Sequence, residues 1–236
     1  MKKITILLTG LLLSTAVLGS LSADAATYSS SGVVNFEAET DPTPPVDPID
    51  PDPNKPVDPV DPTDPNGPNP GTPGPLSIDY ASSFDFGTQK ISTKTHTYYA
   101  ALQTYKNGTP AGPNYVQVTD KTGVYSGWDL TVKQEEQFKK GTTELTGAAM
   151  KLDKIKAKSI GGSIAPTTST KLDLNPGDEH NVASANAGEG KGTWAFRFGE
   201  NETDAADAVS LKVPGTANAE IGKYATSLTW KLVAKP

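Results

Sequence analysis

The 236-residue sequence has no cysteine, so neither disulfides nor thiolate-held metals can brace it and its core must form by packing alone. One arginine, Arg197, and two histidines, His96 and His180, leave no basic stripe for nucleic acid and no ligand cluster for zinc. Long helical heptads are missing, as are a phosphate loop and a Gly-x-Ser-x-Gly elbow. No two carboxylates are singled out for glycan hydrolysis. These absences point away from an enzyme, and no cofactor or metal is expected. The acidic run Glu200-Asn201-Glu202-Thr203-Asp204 with Asp207 lacks the glycine-hinged spacing of a calcium loop and reads as a solvated turn.

What is present begins with an export signal. Lys2 and Lys3 supply a positive start, residues 4–18 are apolar, and Ala23-Asp24-Ala25 ends the run with small residues. A signal peptide over residues 1–25 is expected, with cleavage after Ala25, leaving residues 26–236 as one β domain without a transmembrane segment. Gly32-Val33-Val34-Asn35-Phe36-Glu37 reads as a short strand.

The composition then changes abruptly. Residues 41–75 repeat Asp-Pro and hold seven Asp against one Lys, a net of −6, whereas residues 76–236 hold 18 Lys plus Arg and 17 Asp plus Glu, a net of +1. Proline fixes φ, removes a donor and biases the preceding residue away from helix. Residues 41–75 are therefore expected to be an extended, solvated, disordered loop or tether.

The rest reads as roughly ten short strands between turn signals, at 76–80, 84–87 with Lys90-Ile91, 95–102, 115–120, 127–133, 148–160, 180–183, 193–198, 209–213 and 222–233. Lys133 to Lys140 reads as a helical turn or a charged hairpin, and Ile155 falls out of phase with Met150 and Leu152, as at a bulge. The fold class is all-β, a single sandwich or barrel-like domain with the long Pro/Asp-rich loop near its N-terminus. Two stretches organise it. Strand alternation puts Val124, Ser126, Trp128, Leu130 and Val132 on one face of one strand, and Tyr224, Thr226, Leu228, Trp230 and Leu232 on one face of a second, with Asp129 and Lys231 opposite, so the two strands are expected to contribute an aromatic and a leucine each to one central apolar layer.

A signal peptide, a short strand leading into a Pro/Asp-rich run, Trp128-Asp129-Leu130-Thr131-Val132, Gly192-Thr193-Trp194, and Tyr224 followed by Trp230-Lys231-Leu232 together resemble the WxL-domain surface proteins of low-GC Gram-positive bacteria. The resemblance implies a secreted, non-enzymatic protein held non-covalently at the cell wall, with peptidoglycan as partner and motif residues Trp128, Leu130, Trp230 and Leu232. An alternative is a subunit of a surface complex retained by another surface protein. The chain shows no sortase-type signal, so attachment without that covalent anchor is expected. In this family the Pro-rich run lies inside the domain region, so Val33 to Phe36 are expected to pair back into the sheet.

The motif tryptophans admit two roles. An indole can stack on a sugar ring, or it can fill the core beside the apolar residues that share its strand face; the shared face favours the core. Trp194, flanked by Gly188, Gly190 and Gly192, and Tyr224 are possible additional contacts. Lys151, Lys154, Lys156 and Lys158 could attract anionic wall polymers or guard a strand edge.

Overall fold

The computed structural model describes residues 25–159 and 161–236, so the expected signal sequence, apart from Ala25, lies outside the described residues. Residues 25–36 carry no helix or strand, and Val33, Val34 and Phe36 are 88, 71 and 90% exposed. The expected strand there does not form, and no strand among the described residues pairs with Val33 to Phe36. A lone extended segment has nothing to satisfy its backbone and so gains no strand stability.

Residues 37–236 form an almost entirely β unit. Its strands in chain order are β1 (Leu76–Ala81), β2 (His96–Tyr99), β3 (Tyr115–Asp120), β4 (Trp128–Gln134), β5 (Lys139–Lys140), β6 (Thr143–Glu144) and β7 (Ala149–Asp153). They continue as β8 (Ile155–Ser159), β9 (Thr167–Thr168), β10 (Lys171–Leu174), β11 (Glu179–Ala185), β12 (Gly192–Phe198), β13 (Val209–Val213) and β14 (Leu228–Ala234), with one short helix, α1 (Glu202–Ala205). Three four-stranded antiparallel sheets result, ordered β1-β3-β12-β8, β10-β7-β13-β2 and β14-β4-β11-β9, with β5-β6 as a separate hairpin.

One apolar core joins the three sheets. Val116, Val118 and Phe196 come from the first, Met150, Leu152 and Leu211 from the second, and Trp128, Leu130 and Val182 from the third. Alternation explains β4, where Trp128, Leu130, Val132 and Gln134 are buried and the residues between them are half-buried. The expected strand at 148–160 is two strands. Lys154 takes a left-handed φ of 54°, so β7 joins the second sheet and β8 the first, which is why Ile155 falls out of phase. Residues 84–91 stay irregular although Phe84 and Phe86 pack on the core, and the pairs β5-β6 and β9-β11 are too short to register as alternation.

Residues 41–75 correct the expectation of a solvated tether. They fold down as a strap over the first sheet, with Val46 2% exposed and Val57 also buried. Composition misled because Asp and Pro act together in turns. Proline removes the donor at the next position, and the aspartate side chain captures the N–H two residues on. Asp47 accepts from Ile49 N, Asp52 from Asn54 N, Asp61 from Thr63 N and Asp64 from Asn66 N, at 2.7–2.9 Å. Repeated Asx turns bend the segment where polyproline geometry would extend it. Its backbone also bonds outward, Val60 N to Thr104 O and Lys106 N to Asp58 O, each at 2.8 Å.

The strap explains why β3 has no solvent face. Val116 and Val118 point into the shared core, while Tyr115, Gln117 and Thr119 on the other face are buried as well. Antiparallel sheets commonly leave one face wet. Here Val57, Tyr80, Tyr105, Tyr115 and Ala195 form a second, smaller apolar cluster between strap and sheet.

Candidate functional site

The two Trp-x-Leu stretches lie side by side. β14 pairs antiparallel with β4, setting Leu232 across from Leu130, Trp230 across from Val132 and Ala234 across from Trp128. Both indoles and both leucines therefore belong to the core-facing side, related by the local two-fold of the strand pair. Trp128 and Leu130 have no exposed surface. The Trp128 ring meets Phe196 edge-on with centroids 6.0 Å apart, and its Nε1 donates to Gly190 O at 3.3 Å. Gly190 sits at φ +64°, and a Cβ there would lie 2.7 Å from the indole, so only glycine fits.

Trp230 is half-buried, stacked on Phe198 at 6.5 Å with an interplanar angle of 29°. Leu232 is half-buried too. The middle residues of the motifs face outward. Asp129 accepts from Ser184 Oγ at 2.6 Å and lies 3.4 Å from Lys235 Nζ, while Lys231 reaches Glu179 at 3.5 Å. Trp194 is buried, its Nε1 donating to Lys191 O at 3.1 Å. Tyr224 is half-buried and its hydroxyl accepts from Glu220 N at 3.0 Å. Of the three indoles, only Trp230 keeps appreciable surface for a ligand.

That difference is measurable. Trp230→Ala should cost roughly 2 kcal/mol, about half the penalty for a fully buried aromatic, because half of its transfer term is already lost to solvent. A calorimetric comparison in which Trp230→Ala and Trp128→Ala melt together would contradict this ranking.

The lysine cluster is largely neutralised within the protein. Lys151 pairs with Asp153 at 2.9 Å, Lys154 with Asp204 at 2.9 Å and also with Asp207, and Lys156 with Glu200 at 3.6 Å. Hydrogen bonds donated to Asp207 and Asp204 hold the Lys154 ammonium above its usual pKa. The acidic run expected to be a solvated turn thus already holds a cation, and Asn201 Oδ1 caps α1 by accepting from Asp204 N at 2.9 Å. No group of three or more metal-ligating side chains occurs among the described residues.

Beneath the strap lies a polar constellation that the sequence reading missed. A register shift in the β1–β3 pairing between Ile78 and Tyr80 leaves Asp79 as an extra residue. Asp79 Oδ1 accepts from Ser77 Oγ at 2.6 Å, and its Oδ2 accepts from Gln117 Nε2 at 2.9 Å and Thr119 Oγ1 at 2.6 Å. Burial raises this carboxyl above its ordinary pKa in spite of those donors. Gln117 then grips the strap: its Oε1 accepts from Val46 N at 2.9 Å and its Nε2 donates to Pro44 O at 3.1 Å. The only available signal was the Gln117 and Thr119 face of β3, which alternation alone assigns to solvent.

Comparison with known proteins gives one result. A family model described as WxL domain, surface cell wall-binding, matches residues 23–236. No curated protein and no solved structure matches the chain.

Proposed function

Because the chain belongs to the WxL family of surface cell wall-binding domains, we propose that it attaches non-covalently to peptidoglycan and carries out no chemistry on it. The cell-surface, wall-binding role is the family's; the peptidoglycan partner and the mode of contact are the proposal. On this reading residues 26–236 act as one wall-binding unit, and the strap, residues 41–75, is part of it.

The observation that supports it is the register of the motif strands. With both indoles turned inward, the opposite side of β4 and β14 presents Asp129, Thr131, Lys133, Thr229 and Lys231 as a mostly polar ladder, with exposed Val233 across from Asp129 at one end. Such a set of carboxylate, hydroxyl and ammonium groups suits the hydroxyls and amides of glycan strands and stem peptides. The tryptophans anchor the inner side of those strands, Trp128 wholly buried and Trp230 stacked on Phe198.

Co-sedimentation with sacculi stripped of accessory polymers tests it. The protein should pellet at low and moderate salt, and Lys231→Ala with Thr229→Ala should leave more of it in the supernatant without lowering the melting temperature. Protein that stays wholly in the supernatant would end the peptidoglycan reading. A second reading, retention by a partner surface protein, draws support from β14, which ends the order of its sheet and pairs with β4 alone. It requires that bare sacculi fail to bind and that retention on cells disappear when the partner is deleted.

A further inference from the structure

We infer that residues 32–38 are a donor strand, which one copy of the chain lays along the free edge of β14 in a second copy. The inference does not depend on the peptidoglycan reading, since an added strand leaves the outward side of β4 and β14 open.

The acceptor follows from how the sheet edges are guarded. The strap covers β1: Thr72 N donates to Ile78 O at 2.8 Å, and Ile78 N donates to Thr72 Oγ1 at 2.9 Å. Lys156 and Lys158 guard β8 and Lys171 guards β10, while β2 is four residues long and β9 two. β14 instead runs seven residues in unbroken register with β4, and Lys231 is its single charge. Glu135 N donates to Ser227 O and Lys235 N to Gly127 O, so the odd-numbered residues of β14 bond to β4. The N–H and C=O groups of Leu228, Trp230 and Leu232 therefore point away from β4. β1 comes within 8 Å of β14, Cα to Cα, but pairs with β3 alone and does not use those groups.

The donor is the stretch Gly32-Val33-Val34-Asn35-Phe36-Glu37-Ala38, which has no proline and as many residues as β14. It pairs with no strand of its own chain among the described residues, and Val33, Val34 and Phe36 stand in solvent. Laid antiparallel to β14, it sets Val34 across from Leu232, Phe36 across from Trp230 and Ala38 across from Leu228. Those three β14 side chains face the core yet are only half-buried, and the added strand extends the apolar layer over their open flank. On the other side Val33 meets Val233, which is 47% exposed, and Glu37 lies diagonal to Lys231. A slip of one residue would turn Val34 and Phe36 into water, so the pattern fixes the parity of the register. One chain thus carries both an unpaired strand and an unpaired edge of matching pattern, and any two copies supply what the other lacks.

Because the protein has no cysteine, a cross-link can test the register in the secreted protein. Val33→Cys and Val233→Cys are prepared separately, mixed and oxidised. Their Cα atoms would face each other in a non-hydrogen-bonded pair, about 4.5 Å apart and within disulfide reach. The mixture should give a disulfide-linked species of twice the mass, whereas Val33→Cys mixed with Thr229→Cys, about 13 Å out of register, should give far less. Sedimentation velocity of the parent should show mass above the monomer that grows with concentration. Phe36→Asp should weaken that association at least about tenfold, and because Phe36 is 90% exposed it should leave the melting temperature of dilute protein unchanged. A parent that stays monomeric, cross-linking that is equal at Thr229→Cys, or association untouched by Phe36→Asp overturns the proposal. So does a chain carrying both Val33→Cys and Val233→Cys that closes its disulfide within the monomer at low concentration, since the strand would then fold back on its own sheet.

Discussion

Trp128→Ala is expected to cost about 3–5 kcal/mol, the range for truncating a fully buried aromatic, and to lower the melting temperature by about 10 °C. Three separate features put it near the top of that range. The ring has no exposed surface, it loses an edge-on contact with Phe196, and its removal strands Gly190 O, to which Nε1 donates. The surroundings cannot collapse easily, because the neighbouring strands β11 and β14 fix β4 on both sides. Trp128→Phe should recover part of the loss by restoring the aromatic contact without the donor. Differential scanning calorimetry of the two variants checks this, and a shift of only a degree or two for Trp128→Ala would mean that the indole is not the keystone the packing makes it.

Gln117→Leu should have an effect of similar size but of a different kind. Leucine fills much of the same space, yet it leaves Val46 N–H and Pro44 C=O without partners and removes one of the three donors to Asp79. Each buried polar group left unpaired costs about 1–3 kcal/mol, so about 3 kcal/mol is expected in total, and the protein can reduce it by letting the strap lift into water. Hydrogen exchange reads this directly. The amides of Val46, Val57 and Val60 should exchange about 100-fold faster, while those of β4 and β11 keep their protection. Uniform loss of protection, or none, would show that the amide does not fasten the strap.

The limits of reading this chain from its letters follow from where each stabilising contact lies in sequence. The faces of β4 and β14 were legible because alternation is local: Trp128, Leu130 and Val132 are two residues apart, as are Leu228, Trp230 and Leu232. That the two stretches are neighbours was not, since Leu130 and Leu232 are brought together by pairing across a hundred residues and nothing local encodes it. The expected strand at 222–233 forms only from Leu228 onward because, before that point, β4 has turned away and Ala225 bridges to Lys139 instead. The strap was misjudged because composition weighs proline and aspartate as solvated spacers. Its burial depends on Val46 and Val57, eleven residues apart, and on Gln117, whose partners on the strap lie more than seventy positions away in the chain. Asp79 escaped notice for the same reason. Its position depends on a bulge, and a bulge is a mismatch between two strands, which neither strand shows alone.

The strap precedes in the chain everything on which it rests. Its seat is assembled from residues of β1, β3 and β12, and Arg197 in β12 donates to Pro48 O across 149 positions of sequence. Closing so large a loop is possible only once the sheet exists, which makes the strap the last layer laid during folding and the first to lift during unfolding. Loss of the strap's contacts is thus expected to uncover Gln117 and Asp79 before the three sheets come apart.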